Sequence, residues 1–255
     1  MLDLERIAAR GWRGTGTATL GDWLLRAGGG FTGRANSVLV LGSPGVALPA
    51  AMARVEAFYG EHGLPPMFQI PFVPERTDDE PIRTSRALQS AGWRAFNETT
   101  VLVASLKAAQ RSFPGSDLGE FRHAAEPSAE WLAGYLYRGR LRPPGRPLPA
   151  AAVAVLTNAD GPDFVSLHAD GEQLGVARGV LVDDWLGVTA VTVAERHRRR
   201  GVGTALMAEL VRWAADRGAT HAYLQADAAN TAALKMYRRG GFKEHHRYHY
   251  LSYAD

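Results

Sequence analysis

The segment at 191–210, VTVAERHRRRGVGTALMAEL, constrains the possible folds of this chain more than any other. An apolar stretch ends near Val193, three arginines follow at 198–200, and Gly201 and Gly203 open a predicted helix. The start of a helix exposes unpaired backbone N–H groups and the positive end of the helix dipole. Glycines lack the Cβ atoms that would keep a phosphate away from these amides. The pattern therefore predicts a strand, loop and helix that together bind a phosphate or diphosphate.

Two other phosphate-binding patterns do not fit this loop. A Rossmann dinucleotide site needs a third glycine, but position 206 is leucine, and the lysine of a Walker loop is missing. A solvent-exposed basic loop is the alternative interpretation, and nucleic-acid binding is another. The net charge of only +3, and the glycines directly after the arginines, argue against nucleic acid.

A second segment, NTAALKMYRRGGF at 230–242, is typical of a capped helix. Asn230 is a favoured residue for capping a helix start with its side chain. Tyr237 lies seven residues further, two turns along the same face, so both side chains can point to one groove. Gly240 or Gly241 is predicted to end the helix. Alone, this pattern indicates an ordinary capped helix.

At their relative spacing, the two segments resemble the GNAT acyltransferase superfamily, and this resemblance covers about residues 119–255. The residues that match its motif A are Val193, Arg198, Gly201, Gly203 and Leu206. Those that match the second motif are Asn230, Ala233, Tyr237, Gly241 and Phe242. Many members of the superfamily have proline where this chain has Glu195.

The resemblance implies a binding site for an acyl-coenzyme A. The loop amides would hold its pyrophosphate, and the pantetheine arm would lie where strand 185–193 splays from strand 221–227. Backbone amides in that gap would polarise the thioester carbonyl. The coenzyme-binding residues implied are Ala190, Val191, Val193, Arg198, Arg199, Arg200, Gly201, Val202, Gly203, Thr204, Asn230 and Tyr237.

The implied reaction is direct attack of an amine on the thioester, which requires a proton donor for the departing thiolate. Tyr237 occupies the matched position for this donor; the alternative is a tyrosine that only packs in the core. Three histidines, His245, His246 and His249, lie on the last predicted strand. Imidazole suits proton transfer near neutral pH, and His249 is the residue predicted to do this on the substrate side. Surface or core histidines are the alternative. Zinc is rejected because His245 and His249 lie far apart on a strand.

Other residues are predicted to line the acceptor pocket. Gln225 lies on the strand across the gap, and Arg34 and Asn36 come from the glycine-rich segment GGGFTGRANSV. Alternatively, Arg34 and Asn36 only belong to a turn. The aromatic residues of the segment WLAGYLYRGRLRPPGRPLP would contact an apolar acceptor or, as the commoner outcome, pack in the core; they are Trp131, Tyr135 and Tyr137.

Both halves of the chain alternate predicted strands and helices, which is typical of an α/β protein with a mixed sheet. The expected architecture is a GNAT fold at 119–255, a linker at 107–118, and a degenerate GNAT-like domain at 1–106. In the first half, the loop SPGVALPAA lacks arginine, so we expect no phosphate site there. The apolar segment AAVAVLTN is grouped with the strand segments FVSLHAD and QLGVARGVLV that follow it. The whole chain is similar to actinobacterial tandem GNAT-like proteins in the stretches GFTGRANSV and HHRYHY.

The absence of cysteine excludes disulfides, thiolate metal sites and a cysteine nucleophile. No segment approaches the ~20 apolar residues that cross a bilayer, so we expect a cytoplasmic protein without membrane contact. The predicted function is an acetyl-coenzyme A-dependent N-acetyltransferase acting on a small-molecule or protein amine, without a metal. The partners expected are an acyl-coenzyme A and an unidentified amine, and the expected state is a monomeric pseudo-dimer or a homodimer. Use of another acyl-coenzyme A, or a non-catalytic module that senses coenzyme A, are the alternatives.

Overall fold

The computed structural model describes residues 1–135 and 148–253. Helices cover both faces of one large sheet, and four of them directly follow a serine, proline or glycine: Ser105, Ser128, Pro149 and Gly201. The helices are α1 (Leu2–Gly11), α2 (Leu48–Glu61), α3 (Glu80–Ser90), α4 (Leu106–Ser112), α5 (Ala129–Gly134), α6 (Ala150–Thr157), α7 (Val202–Ala215) and α8 (Thr231–Arg239).

The sheet is mixed, and the described residues contribute eleven strands to it. They are β1 (Gly16–Leu20), β2 (Trp23–Ala27), β3 (Val38–Val40), β4 (Met67–Phe72), β5 (Trp93–Ser105), β6 (Glu120–Ala124), β7 (Asp163–Ala169), β8 (Glu172–Val182), β9 (Trp185–Val193), β10 (His221–Asp227) and β11 (Lys243–Tyr253). Their order across the sheet is β1-β2-β3-β4-β11-β5-β10-β9-β8-β7-β6.

This strand order has an internal two-fold pattern centred on β11 and β5. The parallel pair β3 and β4 in the first half corresponds to the parallel pair β9 and β10 in the second. The last strand of each half crosses to the other side: β11 pairs with β4 and β5, and β5 pairs with β11 and β10. The expected α/β fold with a mixed sheet is confirmed, and the two halves share one continuous sheet.

The helices bury different hydrophobic clusters on the two faces of the sheet. On one face α1 packs on Tyr223 and Tyr248, and α5 and α6 pack beside it around Trp12. On the other face α4, α7 and α8 cover Leu224, and α2 and α3 lie over the cluster that contains Leu251. Because side chains alternate along a strand, neighbouring residues such as Tyr223 and Leu224 reach opposite cores.

The segment AAVAVLTN at 151–158, grouped above with strands, forms most of the helix α6 and its C-terminal cap. Its buried residues Ala152, Val155 and Leu156 follow each other at helical spacing and pack among aromatic rings. A short apolar run does not distinguish a buried helix from a buried strand, which explains the error.

The predicted linker at 107–118 begins inside α4, whose start is capped by Ser105 Oγ accepting from the N–H of Ala108. The division into two domains stays a prediction.

Candidate active site

The site is built around a bulge in β9 at the point where this strand leaves β10. Along β8, Arg178 lies opposite Thr189 and Val176 opposite Thr192, so Ala190 and Val191 together face one residue. Ala190 has a φ of 58°, which costs a non-glycine residue about 1–2 kcal/mol. Bulges bend a strand and re-aim its residues.

On its other edge, β9 pairs with β10 only in its first half. The parallel register runs from Trp185 opposite His221 to Val188 opposite Leu224. The predicted separation of these two strands is therefore confirmed. From Thr189 onward, the edge of β9 that faces β10 has no paired strand among the described residues.

A groove of about 350 Å³ adjoins the free part of β9. One side is formed by β9 and the arginine–glycine loop, and the other by α8. The lining residues are Val191, Val193, Arg198, Arg199, Gly201, Val202, Gly203, Thr204, Ala232, Ala233, Met236 and Tyr237. The structure thus brings together most of the residues predicted to bind a coenzyme. Ala190 lies in the bulge, Arg200 is exposed on the loop, and Asn230 caps α8.

The backbone of the loop supports the prediction of an anion site. Arg199 and Gly201 have positive φ angles of 62° and 84°, and Gly201 directly precedes α7. The first N–H groups of α7, at Val202, Gly203 and Thr204, belong to residues of the groove lining. These amides have no acceptor within the helix, so they can bind an anion.

The arginines of the loop differ in their partners. Arg196 forms an ion pair with Glu172 at 2.9 Å, and its hydrogen bond lowers the pKa of that carboxyl. Arg198 donates from Nε to the Val193 carbonyl at 3.4 Å. Arg199 and Arg200 are exposed, and among the described residues they have no carboxylate partner. Their charges are available to a ligand of the loop.

Tyr237 is one of the residues that line this groove. It is 8% exposed, and its hydroxyl has no hydrogen-bond partner among the described residues. Burial raises its pKa to about 12. Its helix begins at a side-chain cap, in which Asn230 Oδ1 accepts from the N–H of Ala233. In the turn before the helix, Asp227 Oδ1 accepts from the N–H of Ala229. The tyrosine is therefore a neutral group with a free hydroxyl, held on a well-anchored helix.

Two of the three predicted acceptor residues meet on the opposite face of the sheet. Gln225 follows directly after Leu224, the last residue of β10 that pairs with β9. Its Oε1 accepts from Arg34 Nη1 at 3.0 Å and from the hydroxyl of Tyr248 at 3.3 Å. Arg34 also lies over the ring of Trp12, 4.6 Å from its centroid. These side chains stand where the separated strands open.

Asn36 is not part of this group. Its Oδ1 accepts from the N–H groups of Gly28 and Gly30, and its Nδ2 donates to the carbonyls of Phe31 and Thr32. All four distances are 2.8 Å. The side chain of Asn36 is thus fully used in holding the glycine-rich loop.

His249 is not brought to the groove either. Its Nε2 is 3.2 Å from Ser85 Oγ on α3, its ring lies 5.3 Å from that of Phe72, and burial lowers its pKa. It points to the opposite face from Tyr248, because the two are adjacent on a strand. His245 contacts His246, which is buried against Glu5. Among the described residues, no group of three or more metal-ligating side chains occurs.

The predicted aromatic wall is a core cluster in its described part. Trp131 stacks on Tyr135 with ring centroids 5.6 Å apart, and its indole N–H donates to the Val165 carbonyl. Tyr137 lies outside the described residues.

Sequence reasoning missed Arg178, which is fully buried on β8 beside the bulge. The signal that could have revealed it is a charged residue inside an otherwise apolar strand.

None of the helices in 1–135 and 148–253 is long and apolar enough to cross a membrane.

The separated strands, the arginine–glycine loop at a helix start and the capped tyrosine helix define a GNAT-superfamily N-acetyltransferase, an enzyme that transfers an acyl group to an amine. The family described as "Probable histone acetyltransferase Rv0428c C-terminal" matches residues 2–251, and the chain belongs to this family. The fold implies an acyl-coenzyme A donor and a separate acceptor.

Individual relatives agree with this assignment. The chain is 26% identical to "Uncharacterized N-acetyltransferase YobR" of Bacillus subtilis, over 97% of this chain and 96% of the relative. It is 30% identical to "Probable histone acetyltransferase Rv0428c" of Mycobacterium tuberculosis, over 97% of this chain and 72% of the relative. A solved GCN5-related N-acetyltransferase from Kribbella flavida has the same fold, with a TM-score of 0.66 and 18% identity, covering 100% of this chain and 93% of that one.

Proposed function

We propose that this enzyme transfers an acetyl group from acetyl-coenzyme A to an amine by direct attack on the thioester. The observation that carries the proposal is the groove that joins the amides of Val202–Thr204 to the free edge of β9 and to Tyr237. The pyrophosphate would accept hydrogen bonds from these amides, with Arg198 and Arg199 beside it. The pantetheine arm would extend along β9 and bring the thioester close to the bulge.

The reaction needs little chemistry from side chains. The lone pair of a neutral amine attacks the thioester carbonyl carbon, the C–N bond forms, and the C–S bond breaks with its electron pair going to sulfur. Backbone N–H groups of the bulge would stabilise the negative charge on the carbonyl oxygen. Tyr237 stays protonated at neutral pH because burial raises its pKa to about 12, so it can donate its proton to the sulfur. The attacking nitrogen would release one proton to solvent, and a proton from solvent would restore the tyrosine hydroxyl.

The position of His249 against Ser85 supports no proton transfer at this site, and we assign it none. The groove recognises the coenzyme and not the acyl chain, so acetyl is proposed as the smallest common donor. Transfer of a longer acyl group and non-catalytic sensing of coenzyme A are the alternatives, and the experiment below distinguishes them from acetyl transfer.

The test begins with thermal unfolding in the presence of acetyl-, propionyl- and free coenzyme A, because a ligand of the folded state raises Tm. Release of free thiol with a panel of amines then measures transfer. Arg199→Gln should weaken acetyl-coenzyme A about tenfold, equivalent to ~1.4 kcal/mol. The matched control is Arg217→Gln, which removes an arginine stacked on Trp213 at the far end of α7.

A rise in Tm with acetyl-coenzyme A and release of thiol with an amine would support the proposal. Binding without transfer to any amine would favour the sensor, and faster transfer from propionyl-coenzyme A would favour a different acyl donor. If no thioester raises Tm, or if both arginine variants lose affinity equally, the proposed groove is wrong.

A further inference from the structure

A buried, unpaired positive charge lies beside the bulge in β9. The side chain of Arg178 is fully buried. Its Nε donates to the Leu156 carbonyl at 2.8 Å, and its Nη1 donates to the Gly11 carbonyl at 3.1 Å and to Thr189 Oγ1 at 3.3 Å. Its Nη2 has no hydrogen-bond partner. Thr189 directly precedes the bulge, so this cation lies next to the place where the strands separate.

A second guanidinium shares the same aromatic ring. Arg34 lies 4.6 Å from the centroid of the Trp12 ring, and Arg178 lies 5.2 Å from it. Neither arginine forms an ion pair with a carboxylate in the part of the chain that the structure describes. Burial lowers the pKa of Arg178 to about 10, which leaves it positively charged at neutral pH. The polar groups that face it are Tyr223 and Tyr135, together with Arg34 itself.

Nearby arginines of the same region do have carboxylate partners. Arg10 forms two hydrogen bonds with Asp183, at 2.8 and 3.0 Å, and Arg13 forms two with Asp160. These four side chains are solvent-accessible, where an ion pair adds little. Arg10 and Arg13 therefore have carboxylate partners, whereas the half-buried Arg34 and the buried Arg178 have none among the described residues. A charge out of water is costly unless it is compensated.

The uncompensated charge faces the acceptor side of the strand opening. Arg34 Nη1 donates to Gln225, which marks the end of the paired part of β10, while its other donors have no partner among the described residues. Trp12 and Tyr223 supply aromatic surface around these donors. An anion arriving here gains charge-assisted hydrogen bonds, whereas a cation meets two like charges.

We infer, on the basis of the proposed function, that the acceptor is a small amine that carries a carboxylate. The carboxylate binds the free donors of Arg34, and Arg178, which lies over the same Trp12 ring, adds positive potential. The amine then lies beside Gln225, at the opening toward the thioester. Two nearby cations also favour the neutral form of the amine, which is the form that attacks. A strongly basic peptide would be repelled by the positive charges of Arg34 and Arg178.

The experiment measures thiol release by the whole chain with acetyl-coenzyme A and matched sets of acceptors. Each set contains an α-amino acid, its carboxamide and the amine without the carboxyl group. A peptide with an acidic N-terminus and a lysine-rich peptide distinguish a free amino acid from a protein substrate. In the wild type, we expect kcat/KM for the free amino acid to exceed that for its carboxamide at least tenfold.

Two variants of Arg34 test the assignment. Arg34→Gln should lower kcat/KM for the amino acid about tenfold, mainly through KM, and leave the carboxamide unchanged. Arg34→Lys should recover part of the loss. Arg10→Gln is the charge-matched control because its partner is the exposed Asp183, and it should keep the wild-type ratio. The Tm shift with acetyl-coenzyme A verifies that each variant is folded and binds the donor.

The inference is overturned if the wild type prefers the carboxamide, the uncharged amine or the lysine-rich peptide. It is also overturned if Arg34→Gln affects the amino acid and the carboxamide equally. Transfer to any of these amines would leave the proposed function intact. If no amine leads to release of thiol, both this inference and the proposed function are overturned.

Discussion

Glu5 in the first helix and His246 in the last strand are joined by a hydrogen bond of 2.8 Å between Oε1 and Nε2. Both residues are 1% exposed. The second oxygen of Glu5 accepts from Gln69 Nε2 at 2.9 Å, and Gln69 Oε1 accepts from Arg26. A buried polar network therefore connects α1 to strands of both ends of the chain.

Glu5→Ala is expected to lower the free energy of unfolding by about 3 kcal/mol, because it leaves two buried nitrogen atoms without partners. Urea unfolding followed by circular dichroism measures the loss. Asp3→Ala, an exposed acidic residue in the same helix turn, is the control and should change stability by less than about 1 kcal/mol. Equal effects of the two substitutions would show that the network adds nothing.

Tyr237→Phe should lower kcat about 100-fold while the Kd of acetyl-coenzyme A changes less than twofold, because the hydroxyl is needed only as the sulfur leaves. Single-turnover thiol release and calorimetry measure the two quantities. Since burial raises the pKa of Tyr237 to about 12, the wild type should show no loss of this proton donor between neutral pH and pH 10. The control is Tyr253→Phe, whose exposed hydroxyl donates to Ala91. If kcat falls less than threefold in Tyr237→Phe, Tyr237 is not the proton donor to the sulfur.

Gly201→Ala and Gly218→Ala form a matched pair at opposite ends of α7. Their φ angles are 84° and 83°, so alanine costs each position about 1–2 kcal/mol of backbone strain. An added Cβ meets only Leu118 at 3.6 Å in the first case and nothing within 4 Å in the second. Both variants should lose similar stability in urea, but only Gly201→Ala should also lose affinity for acetyl-coenzyme A, by about tenfold. Equal affinities would contradict an anion site at this turn.

His123 gives stability a specific pH dependence. Its Nδ1 lies 2.7 Å from Asp163 and its Nε2 2.7 Å from Glu209, and the hydrogen bond with Asp163 raises its pKa above 6.5 despite partial burial. A raised folded-state pKa stabilises the fold below the unfolded value and loses this contribution as pH rises through the folded value. The free energy of unfolding should therefore fall as pH increases from about 6 to 9.

His123→Gln should remove most of this slope, and its stability deficit should be largest at the acidic end of the range. His62→Gln, at an exposed histidine whose ring packs on Phe58 and has no carboxylate partner among the described residues, should keep the wild-type slope. Urea unfolding at several pH values provides the comparison. A wild-type slope in His123→Gln would show that other groups cause it.

Local patterns predicted the elements of the site well. The bounds 185–193 and 221–227 agree with β9 and β10, because each is an apolar run between polar turns. Pairing between distant segments could not be predicted, since periodicity does not specify which strands become neighbours. The last strand of each half, β5 or β11, pairs with a strand of the other half, and this pairing decides which core each of their side chains enters. The pairing of β11 with β4 directs His249 toward α3. Arg178 was missed for a related reason: its burial depends on Trp12, Leu156 and Thr189, which come from three separate segments.

The position of β11 has a consequence for biosynthesis. A ribosome makes the first half before the second, yet the space between β4 and β5 is filled only by Lys243–Tyr253. Until those residues leave the exit tunnel, the nascent first half carries two unpaired strand edges and lacks Leu251 from its core. The first half therefore cannot complete its sheet or its core before Lys243–Tyr253 have been synthesised.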